Sequence, residues 1–109
     1  MYNLEIEKKA KKFLVGTRNK KLTIGAWLQI SSTEVASIVA SGPFDWIGID
    51  MEHGNIEISK LSKILLAIEN QRKLSFIRIS NNKDINISRY LDLGIKGLII
   101  PNADSPEII

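Results

Sequence analysis

The chain has 109 residues, 44% apolar and 25% charged, the balance of a soluble globular protein with room for one core. No run reaches the roughly 18 apolar residues of a membrane span, cysteine is absent, and the N-terminal "MYNLEIEKKAKKFLVG" lacks the apolar centre of a signal peptide, so a cytoplasmic protein without disulfides or thiolate metal sites is expected. The net charge of +3 comes largely from "KKAKK" (Lys8 to Lys12) and "RNKK" (Arg18 to Lys21), which carry no interleaved aromatics and read as a solvated helix face and loop, not a nucleic-acid surface.

Leu4 to Val15 has the pattern of a short amphipathic helix, with Gly16 placed to stop it. A polar loop, Thr17 to Leu22, leads to "TIGAWLQI" (Thr23 to Ile30), an apolar run of strand length. "SSTE" (Ser31 to Glu34) is a capping box opening a helix with the stripe Val35, Ile38 and Val39, which "SGP" (Ser41 to Pro43) ends. Asp45 to Met51 is a second strand. Ile58, Leu61, Leu65 and Ile68 recur at helical spacing. "LSFIRIS" (Leu74 to Ser80) is a third strand, and Ile87, Tyr90 and Leu91 mark a helix closed by Gly94. "GLIIP" (Gly97 to Pro101) is a fourth strand, and "SPE" (Ser105 to Glu107) signals another helix start. Apolar strands separated by helices at this spacing predict an α/β fold with a parallel sheet.

Side chains alternate faces along a strand. Ile47, Ile49 and Met51 share one face of the second strand; Gly48, Asp50 and Glu52 share the other. Ile77 and Ile79 oppose Phe76, Arg78 and Ser80. Ile24, Ala26, Leu28 and Ile30 oppose Gly25, Trp27 and Gln29. The polar groups gather toward the C-terminal ends of the strands, where α/β folds bind ligands. Arg78 between two isoleucines needs a partner, and an ion pair with Asp50 or Glu52 could serve either the fold alone or a catalytic site. His53, the single histidine, follows directly; taken alone it reads as a loop histidine, as Trp27 alone reads as core. No GxGxxG, P-loop, HExxH or GxSxG motif is present.

The segment "IGAWLQISSTEVASIVASGPFDWIGIDMEHG", then "FIRIS", then "ISRYLDLGIKGLIIP", resembles in order the HpcH/HpaI aldolase/citrate lyase family, with "FDWIGIDMEHG" the most specific piece. The resemblance implies the N-terminal half of a TIM (β/α)8 barrel, and a metal-dependent class II pyruvate aldolase cleaving 4-hydroxy-2-oxo acids to pyruvate and an aldehyde. It makes His53 the general base acting through water, a task that suits imidazole near neutral pH, and Arg78 the cation that stabilises the enolate oxygen. It gives Asp92, in "LDLG", the role of carboxylate partner to His53; Asp50, nearer in sequence, is carried as the alternative. Trp27, Gln29 and Glu52 would line the substrate pocket.

The resemblance also implies a divalent metal (Mg²⁺, Mn²⁺ or Co²⁺) as cofactor, a small 2-oxo acid as substrate, and no nucleic-acid or membrane partner. The family's metal ligands lie on later strands, so none is expected on these residues. The turn "NNKD" (Asn81 to Asp84) and the sequence Pro101-Asn102-Ala103 depart from the family's usual "WND" and Pro-Met-Val. A TIM barrel takes about 250 residues, and four strands from one leave two raw edges. The chain alone is therefore expected to be inactive and marginal, and to associate with itself or with a complementing C-terminal half. Two other readings stand beside this one: a non-catalytic half-barrel, and a small doubly wound binding domain.

Overall fold

The computed structural model describes residues 4–108, in which helices and strands alternate. Helix α1 spans Leu4–Arg18, β1 Gly25–Leu28, α2 Thr33–Ala40, β2 Trp46–Asp50, α3 Ile58–Asn70, β3 Leu74–Arg78, α4 Ile87–Asp92 and β4 Gly97–Ile99. A single 3-10 turn, Pro106–Ile108, stands where "SPE" signalled a helix. All strands are parallel and lie in the order β1-β2-β3-β4. A doubly wound sheet reverses its order at a switch point. Here each strand adds on the same side, and right-handed crossovers then place α2, α3 and α4 on one face. That is the order a β/α barrel requires, so the doubly wound reading does not describe this sheet.

Between the helices and the sheet lies the core: Leu28, Ile47, Ile49 and Ile77 from the strands and Ile79 just past β3, against Ala36, Ala40, Leu61, Ile64, Leu65, Ile68 and Tyr90. The alternation predicted for β2 and β3 holds. The stripe predicted for α2 holds at Val35 and Val39, which pack against the core, but not at Ile38, which is 70% exposed, while Ala36 and Ala40 are fully buried. Two alanines four residues apart let α2 approach the sheet and α3 closely, and that rotation turns Ile38 to water. Ile24 and Ile30 are also exposed, because they flank the edge strand β1 outside its ladder.

Helix α1 does not stop at Gly16. It runs to Arg18, and Lys20 takes the left-handed φ of 59° that a terminating glycine would have taken. Lys21 N–H then donates to the Gly16 carbonyl at 2.8 Å. The helix lies across the N-terminal ends of the strands, burying Ile6, pairing Glu7 with Lys96 and setting the Phe13 ring 5.4 Å from that of Phe76.

The helix-free face carries a line of aromatic rings. Trp46 meets Trp27 edge-on at 6.2 Å and Phe76 at 5.6 Å. Glycines opposite make room for them: a Cβ on Gly25 would fall 2.2 Å from the Trp46 indole, and one on Gly48 2.8 Å from Trp27. The Trp46 ring is also tethered by Nε1 donating to Thr23 Oγ1 at 3.4 Å. Gly25→Ala is expected to destabilise the protein by about 1–3 kcal/mol, the usual cost of overpacking. A chemical-denaturation midpoint equal to that of wild type would refute this account of the glycine.

Candidate active site

Asp50 is the last residue of β2, fully buried, and its register partner on β3 is Arg78. Parallel pairing at that register is what brings the two side chains together on the helix-free face. Arg78 Nη2 donates to Asp50 Oδ2 at 2.6 Å and Nε to Oδ1 at 3.1 Å, a two-point clamp. Gln29 Nε2 donates to Oδ2 at 3.0 Å. The backbone N–H groups of Glu52 and His53 donate to Oδ1 at 3.1 and 3.0 Å. Those two bonds form an Asx-type turn that ends the strand. The chain can close it because Gly54 has no side chain: a Cβ there would lie 2.2 Å from the Asp50 carbonyl oxygen.

Five donors thus converge on one buried carboxylate, and its charge is well compensated. The Arg78 guanidinium, more than any other group, holds the Asp50 carboxyl well below the usual carboxylate range; burial opposes this, and the His53 N–H, the Gln29 amide and the Glu52 N–H assist. Asp50 in turn raises the Arg78 pKa. Trp27 lies under the guanidinium at 4.6 Å, in cation–π contact. Trp27 and Gln29, expected to line a substrate pocket, therefore also hold the Arg78–Asp50 pair in place.

His53 sits in the turn after β2 with its side chain 71% exposed. Its Nε2 lies 3.2 Å from Glu52 Oε1, and the same oxygen is 3.6 Å from Arg78 Nε. Glu52 therefore stands between the imidazole and the guanidinium. Alternation could not reveal this, since the strand ends at Asp50 and regular geometry lapses over residues 51–53. The resemblance gives Glu52 a contact with substrate; the structure sets it against the imidazole, a contact that alternation does not predict. Gly54, a residue that favours turns, is the signal in the sequence that the alternation stops there.

The structure does not bring Asp92 to His53. Asp92 is exposed at the end of α4, where the chain has returned to the start of β4, whereas His53 lies beyond the end of β2. In a β/α unit these are opposite ends of the sheet. Asp50 is closer, but it bonds the His53 backbone, not the ring. Among the described residues the carboxylate on the imidazole is that of Glu52.

Among the described residues no group of three or more His, Asp or Glu side chains could hold a metal ion. Asp50 is saturated by donors, and Glu52 is shared between the Arg78 guanidinium and the His53 imidazole, so the site's donor set does not fit a divalent metal. Nor is any helix of the described residues long and apolar enough to cross a membrane. The loop after β3 is ordered by Asp84, whose carboxylate accepts from Ser80 Oγ at 3.1 Å and from Asn86 N–H at 2.9 Å.

A family model described as "HpcH/HpaI aldolase/citrate lyase" matches residues 23–109, which include every site residue above. The 5-keto-4-deoxy-D-glucarate aldolase of Enterobacter sp. (strain 638) is 28% identical over 96 residues, covering 88% of this chain and 38% of that protein. The 2-dehydro-3,6-dideoxy-6-sulfogluconate aldolase of Pseudomonas putida is 31% identical over 90 residues, 83% of this chain and 35% of that protein. The chain thus spans little more than a third of the length of these curated relatives. The crystal structure of an HpcH/HpaI aldolase from Desulfitobacterium hafniense DCB-2 superposes with a TM-score of 0.75 at 24% identity, over 90% of this chain and 37% of that one. The fold is accordingly that of a partial barrel.

Proposed function

Because the chain belongs to the HpcH/HpaI aldolase/citrate lyase family, we propose that it carries the base and the oxyanion-binding cation of an aldolase site. The reaction is cleavage of a 4-hydroxy-2-oxo acid to pyruvate and an aldehyde. The observation that carries the proposal is the Arg78 guanidinium, fixed by Asp50 and Trp27 at the C-terminal end of β3, with the exposed imidazole of His53 alongside. The aldolase names of the curated relatives support it.

In the proposed step His53, through a water molecule, takes the proton of the 4-hydroxyl. The C3–C4 bond breaks, the C4 oxygen becomes the aldehyde carbonyl, and the electron pair moves to the 2-oxo oxygen as an enolate. Arg78 stabilises that developing charge without reorganising, because its orientation is set before substrate binds. Protonation at C3 then yields pyruvate. Glu52 orients the ring, and Trp27 walls the pocket.

The divalent metal implied for the family has no ligand set among the described residues, and no step above is drawn through it. We place its ligands on a complementing C-terminal half, in a cytoplasmic enzyme whose aldehyde product this chain does not specify. The purified 109-residue protein, given a 4-hydroxy-2-oxo acid with Mg²⁺ or Mn²⁺, is expected to release no pyruvate in a lactate-dehydrogenase-coupled assay. Turnover above background would overturn that part of the proposal.

A second reading, a non-catalytic half-barrel that pairs with a copy of itself, is favoured by one observation. Among the described residues the sheet has two unpaired edges, β1 and β4, and Trp27 on its helix-free face is 43% exposed. A well-folded monomer by light scattering would remove this reading.

A further inference from the structure

A second concavity lies at the other end of the strands. It is a cleft of about 280 Å³ between α1 and the segments that lead into β1, β2 and β3. Lys9, Lys12, Lys21, Arg72 and Lys73 line it, against a single carboxylate, Asp45. The sequence disperses these cations over three stretches, two of which read as a solvated helix face and loop; folding gathers them around one opening.

Their partners divide them into two kinds. Lys73 Nζ donates to the carbonyls of Gly42 and Phe44, both at 2.7 Å, and Lys9 Nζ to the carbonyl of Arg72 at 2.6 Å. These ammonium groups are held by neutral acceptors, so their charge is positioned but not cancelled. The Lys12 and Lys21 side chains have no hydrogen bond or ion pair among the described residues. Asp45 gives little compensation, since its Oδ2 accepts from the Ile24 N–H at 2.8 Å. Arg72 is shared with Glu5 at 3.5 Å on the outer rim. Phe13, Phe44 and Leu74 supply the large apolar part of the lining. An apolar wall beside fixed cations lowers the local dielectric and focuses the field on the opening.

We propose that this cleft binds a small phosphorylated compound, its phosphate on the lysines and its organic part against Phe13 and Phe44. The site is separate from the His53–Arg78 site, which lies beyond the opposite ends of β2 and β3. Five of the lining residues (Lys9, Lys12, Phe13, Gly16 and Lys21) precede the stretch matched by the family model. The volume suits a compact anion, whereas a duplex or a membrane surface would need an extended, open basic face.

The test is calorimetric titration of the full chain with pyrophosphate, accompanied by a thermal-shift assay. Saturable one-to-one binding that raises the melting temperature is expected. The double variant Lys12→Ala/Lys21→Ala is expected to melt like wild type, because both side chains are exposed and unpartnered, and to bind about tenfold more weakly. Binding that does not saturate, or that survives the double substitution unchanged, would overturn the proposal. So would binding to phosphatidylserine vesicles or to an oligonucleotide with none to pyrophosphate.

Discussion

Arg78→Ala is expected to destabilise the protein by about 3–5 kcal/mol, the cost of stranding a buried charge. The asymmetry lies in the two partners: Asp50 has no exposure at all, whereas the Arg78 side chain keeps 26%. Without the guanidinium, Asp50 retains only Gln29 and two backbone N–H donors. Removing Asp50 as well, in Asp50→Ala/Arg78→Ala, is expected to cost less than adding the two single effects, because the stranded charge goes with it. Urea denaturation of the wild type, both single variants and the double variant gives the coupling directly, and strictly additive costs would sink the idea that these two residues form one unit. Acid adds a second reading of the same pair. Asp50 is depressed in the folded state relative to an unfolded value near 4. Its contribution is therefore full above that value and is lost only as the pH falls through the folded one. Arg78→Ala raises the folded value and should move acid unfolding to higher pH.

His53→Ala is expected to do the reverse, cutting activity sharply while leaving the fold alone. In a completed barrel, made by joining this chain to the later segment of a family aldolase, kcat should fall by roughly 10²–10⁴, the range for loss of a general base. The melting temperature should not move. The imidazole is 71% exposed, and what His53 gives the fold is its backbone N–H to Asp50, which alanine keeps. If kcat were unchanged, His53 would be a loop histidine and no more.

These two outcomes separate what the sequence could and could not reveal. The alternation of Ile47, Ile49, Ile77 and Ile79 against Asp50 and Arg78 is a local property, and each β-strand formed inside its predicted run. The Arg78 ion pair followed from that alternation together with the penalty for an unpaired buried cation. The ends of elements were less legible. Helix α1 passes through Gly16 because Lys20 takes the left-handed turn, and α2 turns Ile38 outward because two alanines let it lie close to its neighbours.

Within the site, the face and the end of the sheet that carry Asp50 and Arg78 were legible because the strands kept their period of two, whereas the contacts of Trp27 with Arg78 and of Gln29 with Asp50 cross between strands and were not. The Glu52–His53 contact lay in a turn and obeyed no period. Asp92 could be compared with His53 only once the return of α4 had carried it to the far end of the sheet. The lysine cleft was invisible for a related reason: its cations come from α1, the loop after it and the loop after α3, and only the packed fold brings them together.

The central proposal is that His53 and Arg78 serve as the base and the oxyanion cation of an aldolase whose metal is held by a later segment. The most direct measurement is pyruvate release from a 4-hydroxy-2-oxo acid by the chain mixed with a separately purified later segment of a family aldolase, with divalent metal present. Neither piece alone should turn over, the mixture should, and His53→Ala in this chain should abolish the restored rate. Release by the chain alone, or a restored rate indifferent to His53, would contradict the account.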